Sequence, residues 1–184
     1  METPPAPPYE PSLTGRVVCG MITLGRRTGY EIKQFVDKTT RHFMAASYGQ
    51  LYPELKRLEQ AGLLRGTDAP TGGRSRTVYD LTDAGREALI SWLEDDSELL
   101  YELRDEGMLK LFFSDSRPER RLAIVRAMRE RNERKLAELK ALEPHAAQGP
   151  SGPRLTLELG IGMAEWLIQW CEATERRLAG EQEG

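Results

Sequence analysis

The chain has 184 residues, of which 39% are hydrophobic and 30% charged, a balance that supports packed cores and excludes a disordered polyelectrolyte. No apolar run approaches the roughly 18 residues of a membrane span, so no membrane partner is expected. The net charge of -3 divides unevenly: residues 1–81 carry 11 Lys and Arg against 8 Asp and Glu, and residues 82–184 carry 15 against 21. A mildly basic first half beside an acidic second half fits a phosphate-facing head on a tail with another task, because only the surface that meets phosphate needs positive potential.

Residues 1–11, METPPAPPYEP, hold five prolines and read as an extended, flexible arm. The arm is acidic where a signal peptide would be basic and then apolar, so the expected compartment is the cytoplasm. From Ser12, Leu13, Val17, Val18, Met21, Ile22 and Leu24 recur at helical spacing and Gly25 offers a stop. Thr28 and Glu31 then form a capping box, predicting a short helix over about Gly29 to Thr39. Its apolar face is read as Tyr30, Ile32, Phe35 and Val36, with Lys33, Gln34 and Lys38 on the wet side.

Ser47 and Gln50 repeat the device in SYGQ, opening a helix whose Leu51, Leu55, Leu58 and Ala61 make one stripe and which ends at Gly62. Tyr48, Gln50, Tyr52, Glu54, Lys56 and Arg57 are not claimed by that stripe. Beyond it, Leu63–Arg65 and Thr77–Leu81 are β-prone runs around a Pro- and Gly-rich turn at Asp68 to Gly73, predicting a two-stranded hairpin with Arg74 and Arg76 near its tip. Thr82 caps the next helix, whose buried side is read as Ala88, Leu89, Trp92 and Leu93. A capped helix, a basic hairpin and a second capped helix, in that order, make a winged helix-turn-helix. Residues projecting from the first turns of such a helix reach base edges in the major groove, and guanidinium groups on the wing can follow a phosphate backbone.

After the acidic joint EDDSE, LLYELRDEGMLKLFFS reads as a helix, and Ser116, Pro118 and Glu119 as a third capping box. That box opens a long amphipathic helix, about Arg117 to Leu142, with Val125, Met128, Asn132, Leu136, Leu139 and Leu142 near heptad spacing. EPHAAQGPSGP breaks it, and a last helix runs from about Arg154 to Ala179. Gly160, Gly162 and Ala164 permit close helix contact there, while Trp166, Ile168 and Trp170 spread apolar area round more than one face. Two apolar faces on one helix predict that one packs within the chain and the other against a second copy. The expected fold is therefore mainly α with a small β-hairpin: an arm over 1–11, a winged-helix domain over 12–96, and a helical dimerisation and sensing domain over 97–184.

Little in the chain suggests an enzyme. His42 and His145 are isolated, no metal-ligand spacing occurs, and GRRTG, TGGR and GPSG lack the Lys and the strand-to-helix setting of a phosphate loop. No catalytic residue, cofactor or metal is expected. Cys19 and Cys171, each within an apolar periodic segment, read as core.

GYEI at Gly29–Ile32, S-x-G-x-LYP-x-L-x-x-LE-x-x-GLL from Ser47 to Leu64, and GR-x-R-x-x-Y-x-LT-x-x-G from Gly73 to Gly85 resemble the PadR family of bacterial transcriptional regulators. LRDEGMLKLFFSD and the two long helices after it resemble the longer branch of that family. The resemblance implies a winged-helix homodimer, usually a repressor, released from double-stranded operator DNA by a small phenolic or other hydrophobic effector in some members. The expected DNA contacts are Ser47, Tyr48, Gln50, Tyr52, Lys56 and Arg57 on the recognition helix and Arg74 and Arg76 on the wing, with an inverted-repeat operator. An apolar effector pocket between the winged helix and the C-terminal helices would be lined by Trp92, Met108, Phe112, Met163, Trp166 and Trp170. The alternative is a winged-helix adaptor that binds protein and not DNA.

Overall fold

A computed structural model describes residues 9–44, 48–71, 74–99 and 103–180, and the side chains of Tyr48, Pro70, Thr71, Arg74 and Ser75 are not among those described. The chain divides into two compact units, Met1–Leu99 and Leu100–Gly184. Among the described residues the α-helices and strands run helix, helix, helix, hairpin, helix in the first unit and as four α-helices in the second.

In the first unit, α1 spans Leu13–Thr23 because Ser12 supplies a hydroxyl to the Gly15 N–H at its start, and Gly25 leaves it at a φ of 79° that a Cβ would resist. Helix α2, Gly29–Lys38, carries the full capping box: Glu31 N–H donates to Thr28 Oγ1 (3.2 Å) and Thr28 N–H to Glu31 Oε2 (3.0 Å). Ile32 and Val36 are fully buried, but Tyr30 is 58% exposed and accepts a hydrogen bond from Gln34 Nε2, so the phenol belongs to the wet face rather than the apolar one. Helix α3, Tyr48–Gln60, buries Leu51, Leu55 and Leu58 completely, and Gly62 turns the chain at a φ of 73°.

Strands β1, Leu64–Thr71, and β2, Arg74–Leu81, pair antiparallel from Leu64↔Leu81 to Thr71↔Arg74. The expected turn at Asp68 to Gly73 is thus mostly strand, with only Gly72 and Gly73 left between the pairs. Pro70 does not prevent this, because in a two-stranded ribbon each strand has an unpaired edge where a missing N–H is tolerated. At its base the ribbon is tied into the helices: Tyr79 N–H donates to Arg27 O (2.7 Å), Gly66 N–H to Glu59 Oε1 (3.0 Å), and the Arg27 guanidinium pairs with Asp80. Helix α4, Asp83–Leu93, begins at Thr82, whose hydroxyl donates to Gly62 O (2.7 Å) and accepts from Gly85 N–H (3.1 Å). Ala88 and Leu89 pack on the core, whereas Leu93 is 69% exposed, and Trp92 lies outward with the Arg16 guanidinium 5.3 Å from its ring centre. The core of this unit is formed by α1, α2, α3 and the base of the ribbon around Val18, Ile32, Leu51, Leu55 and Leu58.

In the second unit the helix expected from Leu99 is seen from Glu106; residues 103–105 are not helical, and residues 100–102 lie outside the described residues. Asp105 accepts from the Gly107 and Met108 N–H groups and its carboxylate is gripped by Arg131 (2.9 Å to Nη1), which fixes it as the N-cap of α5, Glu106–Phe112. The capping box expected at Ser116 and Glu119 does not form. Two 3-10 turns, Ser114–Ser116 and Pro118–Arg120, occupy that stretch, and α6 begins at Arg121 without a side-chain cap and runs to Lys140. Arg117 between the turns has ψ 68°, as expected of a residue that precedes proline and is kept out of the helical region.

After a single turn α7, Glu143–Ala146, α8 spans Ser151–Gly180 and so starts before the expected Arg154, with Pro153 tolerated in its first turn. Helices α6 and α8 form an antiparallel hairpin clasped by Arg129–Glu175 (2.8 Å) and Lys140–Glu165 (2.8 Å) around Val125, Met128 and Cys171. Among the described residues no helix is long and apolar enough to cross a membrane.

Candidate nucleic-acid interface

The capping box of α2 is the joint where three elements of the first unit meet. The Tyr52 ring of α3 stands against Gly29, where a Cβ would lie 2.8 Å from ring atom Cε1, so only glycine lets α3 approach α2 this closely. The ribbon reaches the same joint through Tyr79 N–H and Arg27 O. Burial pushes the Glu31 carboxyl up, but hydrogen bonds from Thr28 and Arg27 and the nearby Arg76 charge outweigh it and hold it below the usual carboxylate range.

On α3, the face opposite Leu51, Leu55 and Leu58 is open: Gln50, Pro53 and Lys56 are exposed, and Tyr52 is 46% exposed. Lys56 forms no ion pair with any described residue. A cation without a partner on a helix face is available to a polyanion. Gln50 and Tyr52 offer neutral hydrogen-bonding groups beside it, and Arg76 is exposed on β2. Of the residues expected at a DNA surface, Gln50, Tyr52, Lys56 and Arg76 are exposed. Ser47 and the side chains of Tyr48 and Arg74 lie outside the described residues.

Arg57 and Glu54 differ from expectation. Glu54 is only 2% exposed, because one helical turn before Leu58 and two before Ala61 it falls on the packed side of α3. Its carboxylate accepts from Ser12 Oγ (2.8 Å) and Tyr9 OH (3.2 Å), and Arg57 Nη1 pairs with it at 3.1 Å. The reading of the Leu stripe alone missed this, although helical spacing already places residue 54 between residues 58 and 61.

The apolar residues expected to line an effector pocket separate between the units. Trp92 lies in the first, partly covered by Arg16. In the second, Trp170 packs on the Val125, Met128 and Cys171 cluster, while Met108, Phe112, Met163 and Trp166 are 48%, 79%, 44% and 61% exposed. On α8, Leu155, Leu159, Met163 and Trp166 follow at intervals of four, four and three residues, an uncovered apolar stripe along one face.

Comparison with known proteins accounts for both units. Residues 18–91 match the model of the transcriptional regulator PadR-like family, and residues 103–179 match the virulence activator alpha C-terminal domain. The negative transcriptional regulator PadR of Bacillus subtilis is 25% identical over 167 residues, covering 85% of this chain and 92% of that protein. The crystal structure of Bacillus subtilis PadR in complex with operator DNA superposes with a TM-score of 0.82 at 23% identity, over 91% of this chain and 99% of that one. The same protein in complex with p-coumaric acid gives 0.75 at 24% identity over the same shares. The virulence activator AphA of Vibrio cholerae gives 0.68 at 23% identity, again over 91% and 99%. With the PadR-like model matching its first unit and the virulence activator C-terminal model its second, the chain belongs to the PadR-like family of transcriptional regulators, in its longer branch.

Proposed function

We propose that the chain is a ligand-responsive repressor that binds an inverted-repeat operator as a homodimer. The observation that carries this reading is the open face of α3, where unpaired Lys56 lies with Gln50 and Tyr52, in one unit with Arg76 of the wing. Each head inserts the first turns of α3 into a major groove, with Ser47, Tyr48, Gln50 and Tyr52 toward base edges and Lys56 toward phosphate. Arg74 and Arg76 hold the flanking backbone. Two heads reading one duplex call for a dyad, and the uncovered stripe of α8 with Met108, Leu109 and Phe112 of α5 and Phe113 just after it supplies apolar area for a second chain to cover. Repression is favoured over activation because the relative matched over most of both chains is by name a negative regulator.

Response to a small aromatic ligand is supported by the p-coumarate complex of the Bacillus subtilis protein and by the Trp-, Phe- and Met-rich surface of the second unit. Aromatic and methionine side chains suit a planar apolar guest. The test is tryptophan fluorescence titrated with p-coumarate and a panel of planar aromatic acids, followed by a gel shift at saturating ligand. A saturable change in emission with loss of the shifted band supports ligand-released repression. A flat response across the panel removes the effector from the account and leaves the DNA reading standing.

A further inference from the structure

Within the DNA reading, on which this inference rests, α3 presents two adjacent cations, and only one of them is at liberty. We infer that Glu54 is a specificity-determining counter-ion that holds Arg57 off the DNA backbone, so that this part of α3 offers one phosphate-binding charge, Lys56, instead of two. Glu54 is 2% exposed, yet among the described residues its side-chain partners are two neutral hydroxyls, Tyr9 OH and Ser12 Oγ, and a single cation, Arg57. The neighbouring Cys19 thiol adds no second anion to compete for Arg57, because burial first, and then Glu54 itself, push it up to about 11.

A surface ion pair is loosely held, because water replaces either partner at little cost. A carboxylate buried on one side of a helix is different, since removing the cation that pairs with it leaves a charge out of water without that compensation. Arg57 is 62% exposed at its side chain and would otherwise be a ready phosphate ligand, but turning it to DNA means abandoning Glu54. The arm fixes the carboxylate in turn: Ser12 donates to Glu54 while capping α1, and Tyr9 donates from the segment before it. Residues 9–12 therefore form part of the DNA-reading head, and not merely a tail. Phosphate contacts carry no sequence information, so withholding one cation lowers binding to every sequence alike and leaves the base-reading groups a larger share of the total.

The experiment is equilibrium binding of the full chain to a random-sequence duplex over a range of salt, for Lys56→Ala, Arg57→Gln, Glu54→Gln and the Glu54→Gln/Arg57→Gln pair. Each phosphate contact contributes about 0.9 to the slope of log K against log salt. Lys56→Ala is expected to lower the slope by about that amount, and Arg57→Gln, which keeps a donor for Glu54, to leave it unchanged. Glu54→Gln is expected to raise it by about 0.9 with tighter random-sequence binding, and the double variant to return it to the parent value. A slope lowered by Arg57→Gln as much as by Lys56→Ala, or a slope unmoved by Glu54→Gln in a folded protein, overturns the inference while the DNA reading stands. Should Glu54→Gln fail to fold, the Arg57→Gln slope alone decides. A slope unmoved by Lys56→Ala as well overturns the assignment of α3 to DNA, and this inference with it.

Discussion

Gly85 is the residue at which the winged helix tolerates least. A Cβ there would run into the carbonyl oxygen of Leu63, the same oxygen that accepts from Thr82 N–H at 3.1 Å, so the start of α4 and the residue leading into β1 are held in backbone contact. Gly85→Ala is expected to cost about 1–3 kcal/mol through forced backbone movement, visible as a lower urea midpoint with an unchanged slope. Asp105 is the corresponding point of the second unit. The hydrogen bond from Arg131 is the main cause that holds its carboxyl below the ordinary 3.8, against the opposing effect of burial. A folded-state value below the unfolded one means that the ion pair adds stability above about pH 4 and loses it as pH falls through the folded value. Asp105→Asn keeps an N-cap but not the charge, so it should lower stability by about 1 kcal/mol at pH 7, with a difference from the parent that shrinks below about pH 4 in urea titrations at each pH.

At the scale of elements, the proposed function divides DNA recognition between α3 and the ribbon. Lys56→Ala and Arg76→Ala should each weaken binding to all sequences alike and reduce the salt slope by about 0.9, with thermal unfolding unchanged, since both side chains are exposed. A loss confined to one sequence would instead make either residue a base reader. Local rules made the first unit legible: the Thr28 box, the Leu51, Leu55 and Leu58 stripe and the Gly62 stop could all be read from spacing. Where spacing misled, a long-range partner decided the outcome. Asp105 became a cap because Arg131, 26 residues away, grips it, whereas Glu54 follows the helical period onto the packed side, where Tyr9 and Ser12, more than 40 residues away, satisfy its carboxylate. The ribbon outran its expected turn because pairing across Gly72 and Gly73 recruited Asp68 to Thr71, which carry little β signal of their own. Tyr30 and Leu93 follow the helical period but stay largely exposed, and a one-dimensional pattern cannot tell an apolar position that packs from one that is left open.

For the whole molecule, the uncovered apolar residues of α5 and α8 are the counterpart of the open face of α3. Large exposed side chains such as Trp166, Phe112 and Leu159 are unusual on a solitary chain and agree with a second copy covering them. Trp166→Glu should shift sedimentation from dimer toward monomer and weaken operator binding, while leaving the α6 and α8 pairing around Val125 and Cys171 intact. The account as a whole is tested most directly by binding stoichiometry on an inverted repeat selected by the protein from a random pool, with the half-site spacing varied. The expected result is saturation at two chains per duplex, with affinity lost when about half a helical turn, roughly 5 base pairs, is inserted between the half-sites. Saturation at one chain per duplex, or affinity indifferent to that insertion, would contradict it.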